Sequence, residues 1–332
     1  MISIVYITFR ENCQFKWFIE SLCNQATAEQ CSQLQLIIVD GFLFESDQPV
    51  RRAYFQDLIQ GRIETVHVSP KPTMWQGQYR ITKDNYFAAA NTRNTGMCYA
   101  KHPYIAFVDD LGVLGPNWLE AVFEGSRHNH IYCGAYTKVK DIVVEGGKFI
   151  SGNTQGGVDS RLSYYSQDVS VCGGGHMFGS SFCMPLCWLF EVNGQNEMCD
   201  GLGGEDYDLG IRLERQGKVL QYNKRMFIHE SDYTFGSDCQ RKCIRADPVL
   251  PDSVYAERVG AYGIPNHNGR KDMSHFMLSY ANHGKIRVNP EFSIESYNRD
   301  IAHSQKNLDD VFQKPLGTEI HYYTQRPVSE GI

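Results

Sequence analysis

The first hundred residues alternate short apolar runs with amphipathic ones. Residues 2–7 are almost all apolar and largely β-branched, which predicts a buried strand beginning nearly at the first residue. Asn12 is placed to cap a helix in which Phe15, Phe18, Ile19 and Leu22 share one face at three- and four-residue spacing. Residues 34–39 predict a second buried strand, ending at Asp40-Gly41. Pro49 opens a helix carrying Tyr54, Phe55, Leu58 and Ile59, and a third strand is predicted over 63–68. A polar loop with Pro70, Pro72 and Gly77 separates it from a helix over about 86–100, and 104–108 is another buried strand. This alternation implies right-handed crossovers and a largely parallel sheet.

The second half changes character. Residues 139–150 predict a hairpin around Gly146-Gly147, and 151–168 form a Gly/Ser-rich loop. Helices are predicted over 184–192 and 205–216, with short strands at 219–222 and 226–229. Beyond Gly236 the apolar periodicity weakens while Pro, Asn and His increase. The expected architecture is α/β: a Rossmann-like, mixed and mostly parallel sheet flanked by helices over 1–235, and a largely helical or irregular extension over 236–332.

Composition narrows the function classes. The 332 residues are 42% hydrophobic and 21% charged, which excludes wholesale disorder. The formal charge of −6 argues against nucleic acid as partner or acceptor, since no strongly basic field exists to displace counterions. The start of the chain lacks the basic region and small-residue cleavage site of a signal peptide, and no apolar run is long enough to span a bilayer. Eleven scattered cysteines, an odd number, then read as mostly buried thiols in a reducing cytoplasm. Cys183-x-x-x-Cys187 and Cys239-x-x-x-Cys243 lack the second well-spaced pair that a zinc site needs.

In an open parallel sheet, ligands bind beyond the carboxyl ends of the strands. There the predicted strands deliver Thr8, Phe9 and Arg10, then Asp40, then Asp109 and Asp110. That is a nucleotide-sized edge with carboxylates in the middle; alternatively Asp40 and Asp109 cap turns. Glu205 and Asp206 open a helix behind several glycines, where an acid either takes a proton from a reacting hydroxyl or satisfies the first helical turn.

Two segments carry a family resemblance. One is Asn91-Thr92-Arg93-Asn94-Thr95-Gly96, followed by Asp109-Asp110 and Pro116-Asn117-Trp118-Leu119. The other is Gly201-Leu202-Gly203-Gly204-Glu205-Asp206-Tyr207-Asp208, preceded by Gly173-Gly174-Gly175 and Val192-Asn193-Gly194. Together they resemble the inverting, nucleotide-sugar-dependent glycosyltransferases of family 2 with the GT-A fold. The second half is also similar to the catalytic region of the β-1,4-galactosyltransferases. The resemblance covers about residues 1–232.

The resemblance implies a nucleotide-diphospho-sugar donor, a UDP-sugar of galactose or an N-acetylhexosamine, and a saccharide or glycoconjugate acceptor. It implies donor contacts from Thr8, Phe9, Arg10, Asp40, Arg93, Asn94, Asp109 and Gly204. Asp206 would be the catalytic base, with Glu205 orienting the acceptor and Asp208 supporting from the helix. Asp109, Asp110 and His229 would hold Mn²⁺ or Mg²⁺. The final acid of the family's Asp-x-Asp motif is replaced by Leu111, so either Asp110 takes over the metal or metal binding is weakened. In that case Lys71, Arg80, Lys83, Arg241, Lys242 or Arg245 would compensate the diphosphate charge. Trp75 would stack on a sugar or close the site, and 236–332 would shape the acceptor side. Two rival readings share this framework. A nucleotidyltransferase would need a glycine-rich triphosphate loop, which Thr8-Phe9-Arg10-Glu11-Asn12 does not provide. A sugar-binding protein of the same fold would have lost activity with the third acid.

Overall fold

A computed structural model describes residues 1–70, 76, 85, 87–155, 157–192, 194–195, 200 and 204–232. The expected boundary at 235 and the extension 236–332 lie outside the described residues. So do Trp75, Asn193, Gly201, Leu202, Gly203 and all six compensating cations named above.

In chain order the elements are β1 (Ile2–Thr8), α1 (Phe15–Gln25), α2 (Ala28–Ser32), β2 (Leu34–Asp40), α3 (Gln48–Ile59) and β3 (Glu64–Val68). Next come α4 (Ala89–Tyr99), β4 (Tyr104–Asp109), β5 (Gly112–Leu114), α5 (Trp118–His128), β6 (Ile131–Glu145) and β7 (Lys148–Asn153). The last are α6 (Arg161–Tyr164), β8 (Val169–Cys172), β9 (Ser181–Pro185), α7 (Leu186–Glu191), α8 (Glu205–Arg215) and β10 (Leu220–Ser231). The sheet runs β3-β2-β1-β4-β9-β6-β10-β5, with β7 paired to β6 and β8 to β10. Its β3-β2-β1-β4 half is parallel; β9 runs antiparallel to β4 and β6, and β10 returns to parallel alongside β6.

Every residue of β1 and β2 is buried, as continuous apolar runs covered on both faces must be. One core, with Phe15, Phe18, Phe55, Trp118 and Val122, lies under α1, α3 and α5. The other, with Met97, Phe182, Leu189, Leu209 and Leu213, lies under α4, α7 and α8. The two helical layers thus take opposite faces of the sheet.

Several local expectations are corrected. α1 starts at Phe15 behind Gln14, which has a left-handed φ of 53°, and Asn12 does not cap it. Residues 184–192 are not one helix: Met184 and Pro185 complete β9, and α7 begins at Leu186. Pairing of 181–185 with β4 overrides the local preference there. The two strands at 219–222 and 226–229 are one strand, β10, whose pairing with β6 shifts register between Asn223 and Phe227. The loop over 151–168 holds α6, and β8 follows it, unforeseen in the sequence. The hairpin turn does fall at Gly146 and Gly147, with φ of 54° and 71°, although its first strand starts back at Ile131.

Candidate active site

β4 ends at Asp109, and the chain turns through Leu111, whose φ of 61° is left-handed. This break releases Asp109 and Asp110 from strand alternation, so both reach the same sheet edge. Asp110 is buried and accepts from Thr8 Oγ1 at 2.7 Å and Arg10 Nε at 3.2 Å. Thr8 Oγ1 in turn accepts the Arg10 backbone N–H at 3.2 Å. The strand-one residues and the second motif acid therefore form one bonded unit. Phe9 is buried against Gly41, where any Cβ would stand 2.0 Å from its ring.

Arg93 joins the two halves of the site. Its guanidinium, 2% exposed, donates to Asp109 Oδ1 at 2.7 Å, to Glu205 Oε1 at 2.9 Å and to the Gly179 carbonyl at 3.1 Å. Burial works against its charge, but Asp109, Glu205 and then Asp206 more than offset that and raise its pKa. Asn94 exchanges two hydrogen bonds of 2.8 Å with the backbone of Gln195. It thereby pins the segment before the Gly-Gly-Glu-Asp run onto α4.

α8 is aimed by glycines. Gly204 turns into the helix with φ of 88°. Gly174 and Gly210 meet backbone to backbone, for a Cβ on Gly210 would lie 2.0 Å from the Gly174 carbonyl oxygen. The glycine run thus seats α8 directly on the Gly174–His176 turn. Asp206 then accepts the Gly179 N–H at 2.5 Å and the Tyr207 N–H at 2.8 Å. Burial and the neighbouring Glu205 push its pKa up from the ordinary carboxylate value, while Arg93 pulls it down. A raised carboxylate is a stronger base, which suits proton abstraction. Asp208 faces inward and pairs with Arg212 at 2.7 Å, securing the helix from behind.

Asp40 stands at the predicted edge, in register beside Thr8, but is engaged by protein partners, and His229 is turned away from the edge. Asp40, wholly buried, accepts from Arg51 Nε at 2.8 Å and from Phe42 N at 3.0 Å, and lies 3.2 Å from His67 Nε2. Arg51 also holds the carbonyls of Arg10 and Glu11, so this group braces the loop after β1. His229 lies flat on Phe149, ring centroids 3.9 Å apart, and is not gathered with Asp109 and Asp110. Its neighbour Glu230 points towards them instead: both aspartates raise its pKa beyond what burial does, and Lys138 partners it at 3.2 Å.

These residues do not fit a ready divalent-metal site. Both oxygens of Asp110 and one of Asp109 are taken by Thr8, Arg10 and Arg93. Among the described residues no three His, Cys, Asp or Glu side chains converge as ligands.

Sequence reasoning missed Arg51, Gln195, Asp200, Lys138 and Glu230. Asp200 accepts the Ala90 and Asn91 N–H groups at 2.7 and 3.1 Å, and so caps α4 from 110 positions away. Acid-before-glycine at Asp200-Gly201 was a signal for such a role. For Arg51 the sequence held none.

No family model matches the chain. It is 24% identical over 243 residues to a chondroitin synthase of Escherichia coli, a match covering 65% of this chain. The chain spans about a third (32%) of that relative's length. Among solved structures, it is similar to GalNAc-T7 crystallised with UDP, GalNAc and Mn²⁺, at TM-score 0.50 and 13% identity, covering 97% of this chain and 58% of that one. It is also similar to Staphylococcus aureus TarS 1-349 in complex with UDP-GlcNAc, at TM-score 0.49 and 11% identity, covering 92% and 80% respectively. The fold is the GT-A type. Among the described residues no helix is long and apolar enough to cross a membrane.

Proposed function

We propose that this chain is an inverting glycosyltransferase that moves a hexose or N-acetylhexosamine from a UDP-sugar to a saccharide hydroxyl. The observation that carries the reading is Arg93. One buried guanidinium ties Asp109, at the nucleotide edge of the sheet, to Glu205, beside the buried Asp206. The proposed donor contact and the neighbour of the proposed base are therefore joined through one side chain. The relative named for chondroitin synthesis supports glycosyl transfer, and the GT-A neighbour bound to UDP and GalNAc supports the donor class.

The chemistry is a single displacement. Asp206 takes the proton of the acceptor hydroxyl as that oxygen bonds the anomeric carbon from the face opposite the diphosphate. The bond from that carbon to the diphosphate oxygen breaks, and its electron pair leaves with UDP. The Gly179 and Tyr207 N–H groups fix the Asp206 carboxylate, and Arg93, bonded to Glu205, adds an attractive charge beside it. Among the described residues, Arg10, Lys138 and Arg93 bring positive charge to this edge to meet the departing diphosphate.

Incubating the protein with a panel of UDP-sugars and measuring UDP release tests the reading. Release from at least one sugar that is abolished in Asp206→Asn is the expected result. Equal release by the variant, or none from any sugar, overturns it.

A further inference from the structure

A cavity lies on the face of the sheet that carries α1 and α5, opposite the face that carries α8 and Asp206. Its volume is about 700 Å³, within the range of small-ligand pockets. It sits between α1, α5, β5 and the tip of the β6–β7 hairpin. Gly147 makes the closure possible: at φ 71° its backbone packs so closely on Glu20 and Ser21 that a Cβ would stand 2.4 Å from the Ser21 nitrogen. The hairpin tip is thereby fixed against α1, and Asn24 donates to the Gly146 carbonyl at 2.6 Å.

The lining is amphipathic. Phe149 and His229 stack at 9° between ring planes and present an aromatic wall, with Leu114 and Phe123 beside it. His229 is half-buried. Its ring also lines the cavity. Asn24, Gln25 and Gln30 add amide groups to the wall. At the mouth, Arg127 and Lys148 are exposed, and neither forms an ion pair among the described residues; Glu120 is the one acid in the lining. Aromatic faces match the C–H faces of a sugar ring, amides match its hydroxyls, and the two cations favour an anionic substituent.

We infer that this cavity is a second saccharide site, distinct from the transfer site, that binds an acidic glycan through Phe149, His229, Arg127 and Lys148. The choice of a saccharide rests on the glycosyltransferase reading; the anionic preference rests on the lining. Such a site anchors an acceptor chain while its end reacts on the other face.

A glycan array of neutral, uronate-bearing and sulfated oligosaccharides, probed with the full chain, tests this. Acidic glycans are expected to be retained over their neutral counterparts. The Arg127→Ala/Lys148→Ala double variant, altered only at exposed positions, is expected to lose that retention at least tenfold, and Phe149→Ala to lose it as well. Both cavity variants are expected to keep UDP release, which separates this site from the transfer site. UDP release is measured on the same proteins. Intact UDP release without acidic-glycan retention overturns the second site alone, whereas retention without UDP release overturns the transferase reading alone. Retention unchanged in both cavity variants also overturns the second site.

Discussion

Arg93 and Glu205 stand 112 positions apart in the chain and are bonded at 2.9 Å. The same guanidinium holds Asp109, so removing it leaves two carboxylates unpaired in a partly dry pocket. Breaking a buried ion pair from one side costs roughly 3–5 kcal/mol. Arg93→Gln is expected to lose stability of that order in urea denaturation, and a loss below about 1 kcal/mol would contradict the bridging role. Arg93 also pulls the Asp206 pKa down, so the acid limb of the variant's pH–rate profile is expected to move to higher pH.

Asp206 itself sets the pH dependence. Its base form accumulates only above a pKa raised from the ordinary 3.8, so turnover is expected to rise with pH along a limb displaced above that value. The stability consequence has the opposite sign. A carboxyl whose folded pKa is raised stabilises the fold while protonated, and that contribution is lost as pH rises through the folded pKa. Asp206→Asn, never ionised, is therefore expected to match or exceed wild type in Tm at pH 7, with the difference shrinking towards pH 4. Differential scanning fluorimetry across that range reads it, and a lower Tm at pH 7 speaks against the burial argument.

Gly179 is tight for a reason specific to the site. A Cβ there would lie 2.5 Å from the Arg93 guanidinium and 3.4 Å from the Asp206 carboxylate. Gly179→Ala is expected to lower UDP release by about 10²-fold, since a 1 Å misplacement of reacting groups carries that effect. An unchanged rate with an unchanged fold would show that Asp206 tolerates displacement.

The Asp40–Arg51 pair is structural. With both side chains nearly inaccessible, Arg51→Ala strands a buried carboxylate and is expected to cost roughly 3–5 kcal/mol. Guanidinium denaturation measures it, and a near-neutral result would contradict the anchoring role.

The sequence made the parallel half of the fold readable because β1, β2 and β4 are buried and their apolar runs are broken only by Ser3 and Gln35 before the polar strand ends. β9 was hidden because Met184 and Pro185 run straight into the helical residues of α7, and only pairing with β4 decides where the strand stops. Glycine runs and the acids behind them marked α8, yet the contact those glycines serve is with Gly210 of the helix itself. Asp40 reads as a donor contact because it ends a buried strand, and the same position lets it anchor the loop after β1. Which partner it finds depends on Arg51 and His67, brought there by the crossovers. His229 and Glu230 differ by one strand position, and the register of β10 against β5 and β6 decides which of them meets the motif aspartates.

The most direct measurement compares UDP affinity with UDP-sugar turnover in Asp109→Asn and Asp206→Asn. The Arg93-bridged arrangement predicts that Asp109→Asn weakens UDP binding, read by calorimetry. It also predicts that Asp206→Asn keeps UDP affinity while turnover falls by about 10²–10⁴-fold, the usual worth of a positioned base. Turnover that survives in Asp206→Asn, or UDP affinity that changes equally in both variants, would contradict it.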